Sequence, residues 1–587
     1  MTGQTRIQLT KDQLLSRDLP EKIVEGWYFE PVNQQEAATK IAPLLKSIVL
    51  VIPETPLEFD ADSVDQDRLR INDQRIDLFP SARVSLIVND NDLIPLERDL
   101  IRNPDGLSYW DLTVSPGRVW TEIEDDGWSR AALPFQLSNI FENDTHHGIA
   151  TFVYDENTVS PIYIQVVAET KSFLCPDSFY PRGYLNVPAV QVDSERLITA
   201  VDSFETEKNH YHPLLSLESW RNSETEFHLD EIYKGFSGKS SVVSGLVIND
   251  EIFATPCRTV AGDYPYPRAM KFGIWSATKT AFCTIACMRV AKMVGKDPGG
   301  VSIVELIPEA KKFPGWHDVT IGNCLDMASG IGTVAPTLEP RNIFADYLLD
   351  YGDAKAQDQG LKSYEYYFDW FLAPSAYDKN MAAFACPSYP WKPGTVTRYR
   401  DQDLYIAGAA LDAFLKRECG AEKRIWDVVR DEVYLPAHIY HAVKFHTIEK
   451  DPSKEVPLSD AGLLLTMDNV AGLGKLLHDK GKINGHQILD SEILEDIFDP
   501  LKNKGLPTGT HTEEGEIHYY GATWHFPYKS LAGKLFWIPT MRGYGGQMIQ
   551  ILPNGTTAFR FGFDGYDTEE RYDFLKLARL SDTILEF

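Results

Sequence analysis

Residues 274–294 constrain this chain more than any other stretch: apart from Lys279, Arg289 and Lys292 they are almost wholly apolar, and they stop at Gly295. A run of this length that is apolar on nearly every face predicts a helix buried on all sides, and a glycine just past its end supplies a C′ stop. Burying such a helix takes a large surrounding globule. The chain has the material: of its 587 residues 43% are hydrophobic, 12% aromatic and 24% charged, so disorder, collagen and coiled coil fail as descriptions of the whole. Length alone implies about two to four compact units.

Between about 24 and 170 short β runs recur at 47–52, 82–88, 107–114, 148–154 and 162–167. Turn clusters such as Asn89-Asp90-Asn91-Asp92 and Asn103-Pro104-Asp105-Gly106 separate them. They predict an all-β, sandwich-like N-terminal domain over 1–172. Residues 173–235, interrupted by Pro176, Pro181, Pro188 and Pro213, read as an irregular connection. From 236 to 587 the plan is α+β: a β run at 240–254, long helical stretches, and closing β runs at 547–552 and 557–563. That order predicts helices packed on an antiparallel sheet whose strands come from both ends of the domain.

Several function classes are excluded. With 57 Lys and Arg against 85 Asp and Glu, the net charge of −28 argues against nucleic acid or an anionic membrane as partner, leaving a small molecule or short peptide. Seven scattered cysteines without a Cys-x-x-Cys pair write no disulfide framework and no thiolate zinc site. No run of eighteen apolar residues predicts a membrane span. The first nineteen residues lack an apolar signal core, so a cytoplasmic location is expected; a mature form trimmed of its signal peptide would instead be periplasmic or secreted. No Gly-x-Ser-x-Gly elbow, Walker loop or Gly-x-Gly-x-x-Gly turn occurs. His438, His441 and His446, and His210, His212 and His228, cluster without a His-Glu-x-x-His helix. They read as surface or substrate-lining groups, with no metal or organic cofactor expected. His146-His147-Gly148 reads as a turn before a strand.

The chemistry concentrates where the buried helix begins, at Ile274-Trp275-Ser276-Ala277-Thr278-Lys279-Thr280, which holds the one Ser-x-x-Lys of the sequence. Ser276 falls in the first turn, where unpaired N–H groups favour an anion, and Lys279 lies on the same face within reach of its hydroxyl. A lysine becomes the base for a serine when burial and adjacent positive charge lower its pKa, and a buried helix start is expected to do so. The plainer alternative is an N-capping serine with a snorkelling lysine.

Three further motifs follow in order. They are Val319-Thr320-Ile321-Gly322-Asn323-Cys324-Leu325-Asp326-Met327-Ala328-Ser329-Gly330-Ile331; Pro393-Gly394 with Tyr399-Arg400-Asp401 and an apolar helix at 404–415; and Thr540-Met541-Arg542-Gly543-Tyr544-Gly545-Gly546-Gln547 before an alternating strand. Together with Ser-x-x-Lys they resemble the serine hydrolases of the class C β-lactamase and penicillin-binding-protein family, including its esterase, transacylase and nylon-oligomer hydrolase branches. The resemblance covers about 240–554 and implies a β-lactamase/transpeptidase-like fold. It also implies Ser276 as nucleophile, Lys279 and Tyr399 as its bases, and the N–H groups of Ser276 and Tyr544 as an oxyanion hole. Asp401, Arg542, Gly543 and Tyr544 would contact substrate. Two positions depart from the family: Asp401 stands where asparagine is usual, free to select a cationic group or to pair with Arg398 or Arg400, and Met541 stands where a carboxylate-binding lysine is usual. The expectation is therefore an esterase, amidase or peptidase acting on something other than a β-lactam. An acyl-binding sensor or scaffold, and a transacylase, are the alternatives. The aromatic segment 364–371 reads as a helix packed on the core or as a cleft wall.

Overall fold

Strand His146–Tyr154 is buried at every position because alternate side chains enter two different cores: Ala150, Phe152 and Tyr154 point one way, Ile149 and Val153 the other. Ile162–Glu169 repeats the pattern, with Ile162 and Ile164 opposed by Tyr163. The computed structural model describes residues 6–32, 47–59, 69–71, 73–155, 158–187, 189–190, 195–234, 241–332, 343–344, 363–503, 505–562 and 573–587.

Among these, all but four short N-terminal strands form one antiparallel sheet. Its order is Arg182–Leu185, Ile162–Glu169, His146–Tyr154, Ser129–Ser138, Gly117–Thr121, Asp92–Pro95, Ala82–Asn89, Ser47–Ile52, Ala189–Val190, with Asp111–Val114 also paired to Ser129–Ser138. The two edge strands are joined by residues 186–188 alone. Such a link reaches about 14 Å at most, whereas nine flat strands would span roughly 40 Å. The sheet therefore curls on itself, so the expected β domain is barrel-like, one sheet around a core of Ile48, Leu50, Trp110, Phe135 and Phe152. His146 and His147, read as a turn, begin a strand and are wholly buried.

The described residues between 173 and 234 carry more regular structure than the expected connection. They supply both edge strands of the first sheet, the helices Glu195–Lys208 and Glu226–Lys234, and Leu214–Ser216, which joins the second sheet parallel to Glu251–Ala254. That second sheet runs Leu214–Ser216, Glu251–Ala254, Val243–Ile248, Thr557–Phe561, Gln547–Ile551, Leu535–Gly543, Thr523–Lys529, Gly515–Tyr520, Leu506–Thr512. Its strands do come from both ends of the α+β region. Helices Ile285–Val294, Asp401–Cys419 and Met467–His478 contribute to the large apolar core beside it.

Candidate active site

A small sheet of Phe272–Gly273, Leu463–Leu465 and Val443–Lys444 delivers the chain to Ser276, with the Ile274 amide donating to the Leu463 carbonyl at 3.1 Å. Trp275 then takes a left-handed φ of 47°, a conformation costly for a bulky residue that persists where its surroundings dictate it. Its indole Nε1 donates to the Lys171 carbonyl at 2.8 Å. From Met270 to Met288 only Ser276 escapes full burial.

The buried helix forms and stops at Gly295 (φ 71°) as expected. Its first part is not α-helical: a 3₁₀ turn Trp275–Ala277 leads into π-helical Lys279–Thr284 and only then α-helical Ile285–Val294. The widened turn has specific partners. Thr280 and Thr284 donate their hydroxyls to the carbonyls of Ala522 and Gly521 at 2.7 Å, and the Tyr434 hydroxyl donates to the Ala281 carbonyl at 2.6 Å.

Lys279 is fully buried, and its three ammonium protons face three acceptors. Nζ lies 2.7 Å from Ser276 Oγ, 2.7 Å from the Asp460 carbonyl and 2.7 Å from Asp401 Oδ1. The last contact overturns one expectation. Burial pulls the amine down, but the Asp401 carboxylate, with Tyr399 and Asp460 behind it, outweighs burial and holds Lys279 above the ordinary lysine value. Lys279 is a cation here, not an acidified amine. Asp401 pairs with neither neighbouring arginine: Arg400 meets Asp403 at 3.3 Å, and Arg398 lies over the rings of Tyr389 and Trp391. Its other oxygen accepts from the Tyr367 hydroxyl at 3.1 Å, from the aromatic helix Ser363–Phe371.

Tyr399 joins the same group, its buried phenol ring centred 5.1 Å from Lys279 Nζ. Burial pushes that phenol up, while the Lys279 ammonium pulls it down. The second and third motifs cooperate in aiming it. Backbone amides of Gly394 and Arg398 donate to the carbonyls of Ala328 and Met327, both at 2.7 Å, and the Tyr399 ring stacks on Trp524 at 5.9 Å.

Strand Leu535–Gly543 ends against the serine turn. A Cβ on Gly543 would stand 2.2 Å from the Ile274 carbonyl oxygen, so only glycine allows the approach. Tyr544 follows, its ring edge-on to Trp275 at 5.5 Å. Met541 is wholly buried. Arg542 lies over the rings of Phe344, Trp524 and Phe574 at 5.7, 5.1 and 4.7 Å, on the Trp524 that Tyr399 stacks upon.

The histidines sit elsewhere. His210 and His438 stack at 3.8 Å, bridged by the Tyr440 hydroxyl at 3.1 and 3.2 Å from their Nδ1 atoms, in a cleft of about 320 Å³ that also includes Lys271 and Glu207. No spacing in the sequence brings them together. Among the described residues, no three His, Cys, Asp or Glu side chains could hold a metal, and no helix is long and apolar enough to cross a membrane.

No protein-family model and no curated protein matches this chain. Solved structures do resemble it. One is a Bacillus anthracis protein described as a candidate 6-aminohexanoate-dimer hydrolase, 19% identical, covering 64% of this chain and 87% of that one at a TM-score of 0.44. Another is a Caulobacter crescentus penicillin-binding-protein homolog, 12% identical, covering 62% and 97% at 0.40. A third is a family VIII carboxylesterase, 15% identical, covering 62% and 97% at 0.39. The proteins it resembles are β-lactamase-like and penicillin-binding-protein-like serine hydrolases. At these identities and TM-scores the likeness carries no activity across to this chain.

Proposed function

We propose that this protein is a serine hydrolase cleaving an ester or amide of a small molecule or short peptide through an acyl-enzyme on Ser276. The observation that carries the reading is a partly exposed serine hydroxyl 2.7 Å from a buried lysine, with the buried Tyr399 ring centred 5.1 Å from the same amine. A serine otherwise lacks a neighbour able to take its proton.

Because Lys279 is cationic, its role differs from that of a neutral amine. As Ser276 attacks the carbonyl, its proton passes to Lys279 while one ammonium proton passes to the Asp401 carboxylate, leaving lysine charged and Asp401 neutral. The tetrahedral oxyanion is held by the N–H groups of Ser276 and Tyr544. On collapse Tyr399 gives its proton to the leaving group and regains one from Lys279, which recovers its own from Asp401. Water repeats the cycle to release the acyl group. Asp401 thus acts through Lys279, and Arg542, Gly543 and Tyr544 line the substrate edge.

The test is intact-mass analysis after exposure to a fluorophosphonate, followed by mapping of the labelled residue and a chromogenic-ester assay. One label at Ser276 with turnover in the wild type, and neither in Ser276→Ala, supports the hydrolase. Labelling without turnover would favour an acyl-binding sensor, and no labelling would remove the reading.

A further inference from the structure

The N-terminal barrel-like sheet reaches the serine turn through backbone as well as side chains. A Cβ on Gly273 would stand 1.8 Å from the Asn143 carbonyl oxygen, and one on Gly545 would stand 2.2 Å from Lys171 Cβ. The Gly273 amide donates to Thr145 Oγ1 at 3.2 Å, and Trp275 donates to the Lys171 carbonyl. Two residues beyond Lys171, Phe173 packs edge-on to Trp275 at 6.3 Å, to Tyr544 at 6.3 Å and to Phe371 at 5.3 Å, and stacks on Phe368 at 5.9 Å.

This segment is held in place. The carboxylate of Glu142, buried beneath it, accepts the backbone amides of Phe173 at 2.7 Å and Leu174 at 2.8 Å, and also that of Cys175. Asp144 accepts from the Ser172 hydroxyl at 2.7 Å. Three consecutive amides on one buried carboxylate fix a loop that short β segments and prolines alone would leave to vary. Phe173 and Tyr544 each keep part of their surface open to solvent.

We propose that Phe173, carried by the N-terminal sheet, is a specificity-determining wall of the site and that, with Tyr544 and backed by the buried Trp275, it receives an apolar, aryl-sized acyl group of the substrate. This rests on the hydrolase reading for its chemistry. Tyr399 serves the leaving group in that scheme, and its aromatic neighbours are Phe344 and Trp524. The cluster on the Trp275–Tyr544 side is left for the acyl portion.

The experiment compares p-nitrophenyl acetate with p-nitrophenyl phenylacetate, which share a leaving group and differ only in the acyl side. The ratio of kcat/KM, phenylacetate over acetate, should exceed one in the wild type. It should fall about tenfold or more in Phe173→Ala and by less in Phe173→Leu, which keeps apolar volume. An unchanged ratio, or equal losses for both esters in both variants, overturns the proposal. Calorimetric binding of both esters to Ser276→Ala, with and without Phe173→Ala, separates the two readings. If Ser276 proves unreactive in the wild type, the hydrolase fails alone while the phenyl preference still shows in binding. If the Ser276→Ala protein binds neither ester in preference, the wall fails whatever the chemistry.

Discussion

Lys279 and Asp401 form a buried ion pair at 2.7 Å in which each charge is tolerable only because of the other. The direction of the lysine shift fixes the pH window. A lysine raised above its unfolded value contributes stability that is whole below that value and is lost only as pH climbs through the folded one, so the cation persists through neutrality. In the proposed relay the wild-type lysine hands a proton on to Asp401 and so needs no deprotonation of its own before Ser276 attacks. Asp401→Asn removes the largest influence raising Lys279 and leaves burial to lower it, so the amine must itself shed a proton before accepting one from Ser276. The acid limb should move up by about two pH units or more, read from kcat/KM profiles of the two proteins. A limb that stays in place would show that Asp401 has no part in the proton path. The substitution was visible in the sequence, but its meaning was not: which of three nearby cations meets Asp401 depends on how the helix Asp401–Cys419 starts, and that is a tertiary fact.

At the scale of elements, the decisive contact is between strand Leu535–Gly543 and the turn Trp275–Ala277, some 260 residues apart in sequence. Gly543 has an ordinary extended φ, so its value lies in space and not in backbone freedom. Gly543→Ala puts a methyl group 2.2 Å from the Ile274 carbonyl oxygen. It should cost about 1–3 kcal/mol of stability as an overpacked contact and, by pushing the Tyr544 amide off the serine turn, about a hundredfold in kcat/KM. Gly300→Ala, whose added methyl meets nothing within 4 Å, is the control for a neutral glycine change. Equal kinetics for the two variants would remove the strand from the site. Motif order and the buried helix were legible because each is written locally, in apolar runs, Pro-Gly turns and the terminal Gly295. The π-helical start was not, since its cause is a set of hydroxyl partners at residues 434 and 521–522 that no local pattern announces. Strand Ser129–Ser138 was hidden for a different reason: Pro134 interrupts it, and burial on both faces erases the alternation that marks a strand.

For the molecule as a whole, the sequence divides into a β-rich part and an α+β part, but the packing does not respect that division. One continuous apolar core joins Leu14, Trp120, Ile149 and Val167 to Val243, Phe272, Ile285 and Phe559, so the outer face of strands Gly117–Thr121, Ser129–Ser138, His146–Tyr154 and Ile162–Glu169 shares its core with the second half of the chain. The inner face has a core of its own, and on the outer face Ile87 and Ile94 form a small separate cluster with Phe204. Side-chain bonds cross the junction as well: Tyr264 donates to the Gly148 carbonyl at 2.7 Å, Tyr266 to the Phe29 carbonyl at 2.9 Å, and Ser115 to the Ala269 carbonyl at 3.0 Å. Separately folding domains would share a smaller, more polar surface. Differential scanning calorimetry of the full chain should therefore show a single transition in which the sheet and the α+β region melt together, with calorimetric and van't Hoff enthalpies in agreement. A fragment of residues 173–587 should fail to reach a soluble folded state, because it would expose Phe272, which packs on His147, and Tyr264, which donates to the Gly148 carbonyl, where the sheet now covers them. Two resolved transitions, or a soluble 173–587 fragment with the full-length protein's ellipticity per residue, would show that the N-terminal sheet is an appendage and not one wall of a shared core.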